Sequence, residues 1–365
     1  QLANGQAPDI IQINARETWQ DTQRGWYVPV DDWLDQPNPF IPPGEPGSKR
    51  WWDVFEYPVP MLGTKAPNGH LYCVTLDMIE TGIFYNKTLF NRLGLSIPKD
   101  WVQFLAMQEK IKKAGYVPML VDHQCVTDWA VDLIFDQIYH DLRPLLDLNY
   151  DPARGEDMNG YLDWDELIFL HQHGFFTPRD PRWRALWRIL KAWRQYMSPD
   201  LNVSTDFNKD FMTQKGAMYW ATSMTVNRLL SDRNLGFDWG IFYLPGIPNS
   251  YCRFCHDRPM CVISGCEMQY SVTNSAFKNT GNPSTSERLQ RVKAFLHFLT
   301  TPQSCNTVVN QQVAFLPNIK GVAPRTPLES LIPIRKRHYA MTKWFFTFDL
   351  EFDEVMFRML DLYLN

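Results

Sequence analysis

The chain has 365 residues, too many for one simple hydrophobic core and enough for two lobes of roughly 150–200 residues each. A net charge of −4 excludes the basic excess that a nucleic-acid-binding face requires. No run approaches the ~18 consecutive apolar residues of a membrane-spanning helix, and the compositional outlier is instead a 14% aromatic content that includes 14 Trp.

In chain order, residues 8–13 form a nearly continuous apolar run and predict a buried parallel strand. Asn14, Arg16, Glu17 and Trp19 follow at its carboxyl end, the edge where open α/β sheets place ligands. Residues 35–50, rich in Pro and Gly, read as surface loop. From Gly69 a β-rich segment is expected to end in an acidic-polar turn, Glu80-Thr81-Gly82. A second strand over 83–85 then delivers Asn86 and Lys87 into a helix. Beyond a turn at 94–98, Asp100 has the chemistry of an N-cap. The helix over 99–115 carries Trp101, Phe104, Leu105 and Ile111 on one stripe. Residues 116–121 predict a strand, with Asp122, His123 and Gln124 just past its end.

Residues 140–180 read as an insertion. The next helix carries Trp183, Leu186, Trp187, Leu190, Trp193 and Met197 at helical spacing, a stripe that reads as packing. Within 206–224 a helix ended by Gly216 precedes a strand over 217–220. A strand is expected in 238–245 and a strand-turn-strand in 260–272. Glu287–Leu299 predicts a helix with Leu289, Val292, Phe295, Leu296 and Leu299 on one face, stopped by Thr300-Thr301-Pro302. A final helix carries Phe352, Met356, Met359, Leu360 and Tyr363.

The sequence contains no G-x-S-x-G, no G-x-x-x-x-G-K-[ST] and no H-E-x-x-H, so the common hydrolase, P-loop and zincin signatures are missing. Its 40 acidic residues make chance carboxylate pairs certain and nominate no particular acid/base pair. Seven Cys is an odd count, so at least one thiol is free or pairs outside the chain. Cys252-Arg253-Phe254-Cys255-His256 spells C-x-x-C-H, the c-type haem attachment pattern, and with Cys261 and Cys266 it offers four thiolates to zinc. Against haem, no companion axial Met is identifiable; against zinc, the spacings lack the paired knuckle form. The plain alternative is a variable loop with one or two disulfides. Asp147-Leu148-Asn149-Tyr150-Asp151 begins like a calcium loop, but Pro152 and Met158 occupy the places of the turn Gly and the bidentate Glu, which leaves a solvated acidic turn. No cofactor and no metal are expected.

Several segments gain meaning from their order: Pro8-Asp9-Ile10-Ile11, then Gly25-Trp26-Tyr27-Val28-Pro29-Val30-Asp31-Asp32-Trp33-Leu34, then Glu80-Thr81-Gly82-Ile83-Phe84-Tyr85-Asn86-Lys87. Gly216-Ala217-Met218, Phe242-Tyr243-Leu244-Pro245, Phe295-Leu296-His297-Phe298-Leu299-Thr300 and Phe315-Leu316-Pro317-Asn318 follow. Together they resemble the bacterial extracellular solute-binding proteins of the sugar-binding, maltose-binding-protein-like (family 1) type. The resemblance covers nearly the whole chain apart from 35–68, 140–180 and 246–259.

It implies an α/β, two-lobe periplasmic-binding-protein-like fold of type II. The lobes would be discontinuous: residues 1–86 and 261–316 in the first, 87–260 and 317–365 in the second, joined by interlobe crossings. It also implies a signal segment and a first βαβ unit ahead of residue 1, and a slightly longer C-terminus. The implied function is capture of a carbohydrate, an oligosaccharide or related polyol, in an interlobe cleft and its delivery to an ABC-type permease. The protein would be a monomer outside the cytoplasm, in the periplasm or lipid-anchored at the outer face of the membrane, with no nucleic acid partner and no catalysis. A carbohydrate-active hydrolase with a cleft carboxylate pair is the alternative.

By the same resemblance, Glu80 aligns with an acidic ligand contact at the interlobe crossing, where a carboxylate accepts bidentate hydrogen bonds from vicinal hydroxyls. Asn14, Arg16 and Glu17 fall where the family has polar or charged sugar contacts. Gln124 and Trp129 fall where it has polar and aromatic ones. Trp220, Thr222 and Ser223 lie at the loop where Met224 replaces the family's stacking Trp. Glu267 and Gln269 lie on the second crossing, and Trp344 or Phe352 would supply a late aromatic platform. Arg16, in place of an Asp, and Met224 are departures that leave the sugar open.

Overall fold

The computed structural model describes residues 1–13, 19–56, 66, 68–121, 125–142, 164–199, 201, 206–261, 263–264, 268–277, 286–311, 315–325 and 328, and short helical pieces at 355, 358–360 and 362–364. The strands described are β1 (Ile10–Gln12), β2 (Val74–Thr75), β3 (Asp77–Asn86), β4 (Val117–Leu120), β5 (Gly216–Thr222), β6 (Trp239–Phe242), β7 (Ile263–Ser264), β8 (Gln269–Val272) and β9 (Leu316–Pro317). The helices are α1 (Trp19–Thr22), α2 (Asp31–Leu34), α3 (Lys87–Arg92), α4 (Trp101–Lys113), α5 (Val131–Tyr139), α6 (Trp164–Gln172), α7 (Pro181–Arg194), α8 (Phe207–Met212), α9 (Thr225–Ser231), α10 (Glu287–Leu299) and α11 (Pro302–Asn310). The chain divides into two compact units, residues 1–79 with 264–329 and residues 80–263 with 330–365. Among the described residues no helix is long and apolar enough to cross a membrane.

In the first unit β8 lies between β1 and β2 and runs antiparallel to both, with Ile10 opposite Val272 and Val74 opposite Tyr270. The expected buried parallel strand at 8–13 is therefore corrected: β1 is antiparallel, ends the strand order and is only partly covered. Its apolar run has another cause. Ile10 packs against the core around Val30, Trp51 and Val272, whereas Ile11 packs against a small cluster of Tyr27, Ala66 and Tyr72. Successive strand residues face opposite sides, so apolar material on both sides selects a continuous apolar sequence.

α10 starts at Ser286, whose Oγ accepts from Leu289 N at 3.2 Å, and it buries Leu289, Val292 and Leu296. Phe295, expected on that face, is half exposed, and His297 takes an inner position instead. The carbonyls that every helix leaves unpaired at its C-terminus find partners from far away in sequence. Asn38 Nδ2 donates to the His297 carbonyl at 2.8 Å, and the Thr300 hydroxyl, within 3.0 Å of the Leu296 and His297 carbonyls, itself accepts from Trp51 Nε1 at 2.8 Å. Pro302 then opens α11 behind the Thr301 cap, a position where its missing N–H costs nothing. β9 pairs with β3 at Asp77 and Met78, and Ile319 and Val322 enter the first core. That pairing keeps residues 317–329 in the first unit, where the sequence reading has the second lobe resuming at 317.

The second unit is built on the strand order β4-β5-β3-β6. β4 and β5 are parallel, and β3 runs against both of its neighbours, with Ile83 opposite Trp220 on one side and Phe242 on the other. β3 is one continuous strand, so the expected turn at Glu80-Thr81-Gly82 does not form; Thr81 and Gly82 pair with Thr222 and Ala221. The chain passes from the first unit to the second inside this strand, at Ile79–Glu80, earlier than the expected boundary at 86.

The helix signals resolve locally. Asn86 Oδ1 accepts from Leu89 N at 2.8 Å to start α3, and Asp100 Oδ1 accepts from Gln103 N at 2.8 Å to start α4. Trp101 and Phe104 of α4 meet Trp193 of α7 at centroid distances of 5.1 and 5.9 Å, and Trp193 meets Trp220 at 5.4 Å. Much of the aromatic excess is therefore core packing. The stop after α8 is Gln214, at φ 61°, where Gly216 was expected. Gly216 instead opens β5, because the Leu120 side chain fills the space a Cβ would need. In the final helix Leu360 and Leu364 join the second core while Met359 is exposed. The calcium-like loop at 147–151 and the rest of 143–163 lie outside the described residues, as do Phe352 and Met356.

Candidate functional site

Since β4 and β5 run parallel and β3 runs against them, the carboxyl ends of β4 and β5 share one edge of the second sheet with the start of β3's second-unit portion. Glu80, Thr81, Thr222 and Ser223 gather at this edge. It is the carboxyl-end position at which α/β sheets place ligands. Gln124 lies outside the described residues, and a π-helical turn, Cys125–Ala130, stands directly ahead of α5. Such wide turns are frequent at functional sites.

Glu80 is fully buried, with 0% exposure. Its Oε2 accepts from the Tyr243 hydroxyl at 2.8 Å, and its backbone carbonyl accepts from Ser223 N at 2.8 Å. Tyr243 stands one residue past β6, and β6 pairs with β3 through Phe242 and Ile83, so strand register brings the phenol to the carboxylate. Sequence reasoning misses Tyr243; its signal was a place just past a strand end in Phe242-Tyr243-Leu244-Pro245. Cys261 lies beside this pair. Burial lifts its thiol well above the ordinary value, the nearby Glu80 carboxylate adds to that, and Thr81 hydrogen-bonds it. It is a neutral, unreactive thiol.

Of the two aromatic candidates here, Trp220 is fully buried in β5, and Trp129 of the π-helical turn stands edge-on to it at 5.6 Å while only partly covered. Thr222 is partly exposed and Ser223 buried. Met224, just ahead of α9, is 40% exposed where a stacking ring was expected.

In the first unit the ends of β1 and β2 meet the start of β8. Thr75 lies opposite Gln269, and Ile13 N donates to Gln269 O at 3.1 Å. Gln269 itself is buried, and the buried Asp77 carboxylate accepts from Met268 N at 3.1 Å, fixing the entry into β8. Asn14, Arg16, Glu17, Glu267, Trp344 and Phe352 lie outside the described residues.

The cysteine loop does not assemble as the zinc reading requires. Cys252, Cys255 and Cys261 are free thiols, so the expected disulfides are not formed among the described cysteines, and Cys266 is outside them. Cys252 and Cys255 hydrogen-bond each other, whereas Cys261 is held at Thr81. Among the described residues no group of three or more His, Cys, Asp or Glu is arranged to hold a metal.

Comparison with known proteins agrees with this architecture. The multiple sugar-binding protein of Streptococcus mutans is 41% identical over 51 residues, a stretch covering 14% of this chain and 12% of that protein. The solute-binding protein RafE in complex with raffinose superposes with a TM-score of 0.63 at 16% identity, over 98% of this chain and 82% of RafE. A probable secreted solute-binding lipoprotein from Streptomyces coelicolor superposes with a TM-score of 0.65 at 15% identity, over 100% of this chain and 81% of the other. These likenesses show the fold, that of the two-lobe α/β solute-binding proteins. The model of the family described as bacterial extracellular solute-binding protein matches residues 1–304, and the chain belongs to that family.

Proposed function

We propose that the protein is the sugar-capturing component of an ABC-type importer. It binds a carbohydrate, an oligosaccharide or related polyol, outside the cytoplasm and presents it unaltered to a membrane permease. The observation that carries this reading is the Glu80–Tyr243 pair, built into the edge of the second sheet beside Thr222 and Ser223. A carboxylate fixed by a phenol and surrounded by hydroxyl-bearing side chains recognises vicinal hydroxyls, which donate to the carboxylate and accept from neighbouring O–H groups. Two relatives support the ligand class: one is a multiple sugar-binding protein, and the other holds raffinose. Asn14, Arg16, Glu17, Gln124, Trp129, Glu267, Gln269 and one of Trp344 and Phe352 complete the proposed contacts, and the protein acts as a monomer. The secreted lipoprotein relative supports a lipid anchor at the outer face of the membrane.

Titration calorimetry across monosaccharides, oligosaccharides and polyols tests the reading. Saturable one-site binding to at least one of them is expected. A folded protein that binds none removes the proposal, and steady turnover of a chromogenic glycoside replaces it with the hydrolase.

A further inference from the structure

The loop between β6 and β7 holds chemistry that sugar capture does not use. Its base is tied by Asp257 N donating to Ile247 O at 3.1 Å and Met260 N to Leu244 O at 2.6 Å. At its tip Cys252 N donates to Pro248 O at 3.1 Å, and Cys255 N closes a turn on Cys252 O at 2.9 Å. Asn249 Nδ2 donates to Arg253 O at 2.8 Å and braces the same turn. An i, i+3 turn of this kind presents two cysteines to each other, and their side chains are hydrogen-bonded.

The two thiols are not equivalent. Cys252 is partly exposed and Cys255 buried. Arg188 acts on Cys252; Arg182, paired with the Asp141 carboxylate through two hydrogen bonds of 2.8 Å, acts on Cys255, and the guanidinium groups of Arg182 and Arg253 lie 4.9 and 4.7 Å from the Phe254 ring. The hydrogen bond from Cys255, with Arg188 adding to it, pushes the Cys252 thiol down to about 6, while the same bond and burial push Cys255 up. A partly exposed thiol of lowered pKa beside a buried second thiol is the arrangement of reactive dithiols.

We propose that Cys252 and Cys255 are a redox-active dithiol, with Cys252 the attacking thiolate and Cys255 the resolving thiol, that exchanges with an external disulfide. The Cys252 thiolate attacks one sulfur of the external disulfide, forming a mixed disulfide and expelling the other sulfur as a thiolate. Cys255 then gives its proton to solvent and attacks Cys252 Sγ. The internal disulfide forms and the second external thiolate leaves. The dithiol loses two electrons and two protons, and one external disulfide becomes two thiols. In an oxidising extracytoplasmic setting the pair rests closed.

The test is thiol mapping by mass spectrometry on the intact chain, which needs no sugar. In the reduced native protein iodoacetamide is expected to modify Cys252 first, roughly two- to fourfold faster at neutral pH than an ordinary exposed cysteine, with a rate midpoint near pH 6. Oxidised glutathione should convert the pair to a Cys252–Cys255 disulfide. Cys255→Ser should stop at the glutathione adduct on Cys252, and Cys252→Ser should leave Cys255 unreacted until the protein is denatured. A native pair that stays reduced in oxidised glutathione, Cys252 that alkylates no faster than an ordinary cysteine, or purified protein carrying haem thioethers or stoichiometric zinc at these residues overturns the proposal. Failure of sugar binding does not bear on it.

Discussion

Glu80 joins two properties seldom found together, a carboxylate with 0% exposure and a hydroxyl partner supplied from 163 residues away. Glu80→Gln keeps the shape and removes the charge. Hydrogen bonds to charged groups contribute about 1.5–3 kcal/mol, so calorimetry should show sugar affinity falling by roughly one to two orders of magnitude. Tyr243→Phe should cost less, roughly fivefold, because it loosens the carboxylate without removing it. Unchanged affinity in the Glu80 variant would remove this residue from the site. Trp220 is expected to behave differently. Fully enclosed between Trp129 and Trp193, its replacement by Ala should lower unfolding free energy by about 3–5 kcal/mol in denaturant titration. At this scale the family pattern marked Glu80 as a ligand contact, which the Gln variant tests, and marked Trp220 as another candidate contact, which the structure buries in β5. It could not carry Tyr243, whose role exists only once β6 is in register with β3.

Among the elements, the ones whose instructions are local were readable. Asn86, Asp100 and Ser286 each stand three residues ahead of the N–H they accept from; of the three, the Asp100 cap is the one read from the sequence, and α4 begins directly behind it. β3 was not readable in this way. Glu-Thr-Gly has turn chemistry in isolation, and only pairing with β5 and β6 on its two sides extends the strand through it. Gly216 shows the same limit: read as a helix stop, it is a packing glycine under Leu120. Gly216→Ala should therefore destabilise by about 1–3 kcal/mol through displaced core atoms. Adding Leu120→Ala to it should recover part of that loss, whereas a backbone-conformation role would show no such coupling in a double-mutant cycle.

For the molecule as a whole, two separate cores mean that solution conditions can act on one unit at a time. His297 is buried in the first unit against Trp51, at a ring distance of 4.2 Å, and its Nε2 has no hydrogen-bond partner among the described residues. Burial, with Lys293 nearby, pushes its pKa down to about 4. The unfolded chain therefore takes up this proton before the folded one does. Full stability holds above about pH 6.5, and up to roughly 3 kcal/mol is lost as pH falls toward 4. Hydrogen-exchange protection should drop in α10 and β8 over that interval while β4 and β5 of the second unit hold, and His297→Phe should flatten the response.

β1 has a consequence of a different kind, in the order of events as the chain is made. Ile10 finds its partner at Val272, and the larger part of the second unit, residues 80–263, is synthesised in the interval between them. Residues 1–79 are made before residues 264–329 and lack those partners of the first unit until the later segment arrives. The second unit can fold meanwhile on mostly contiguous sequence. Closing β1 on β8 is therefore a long-range step that waits for residue 272.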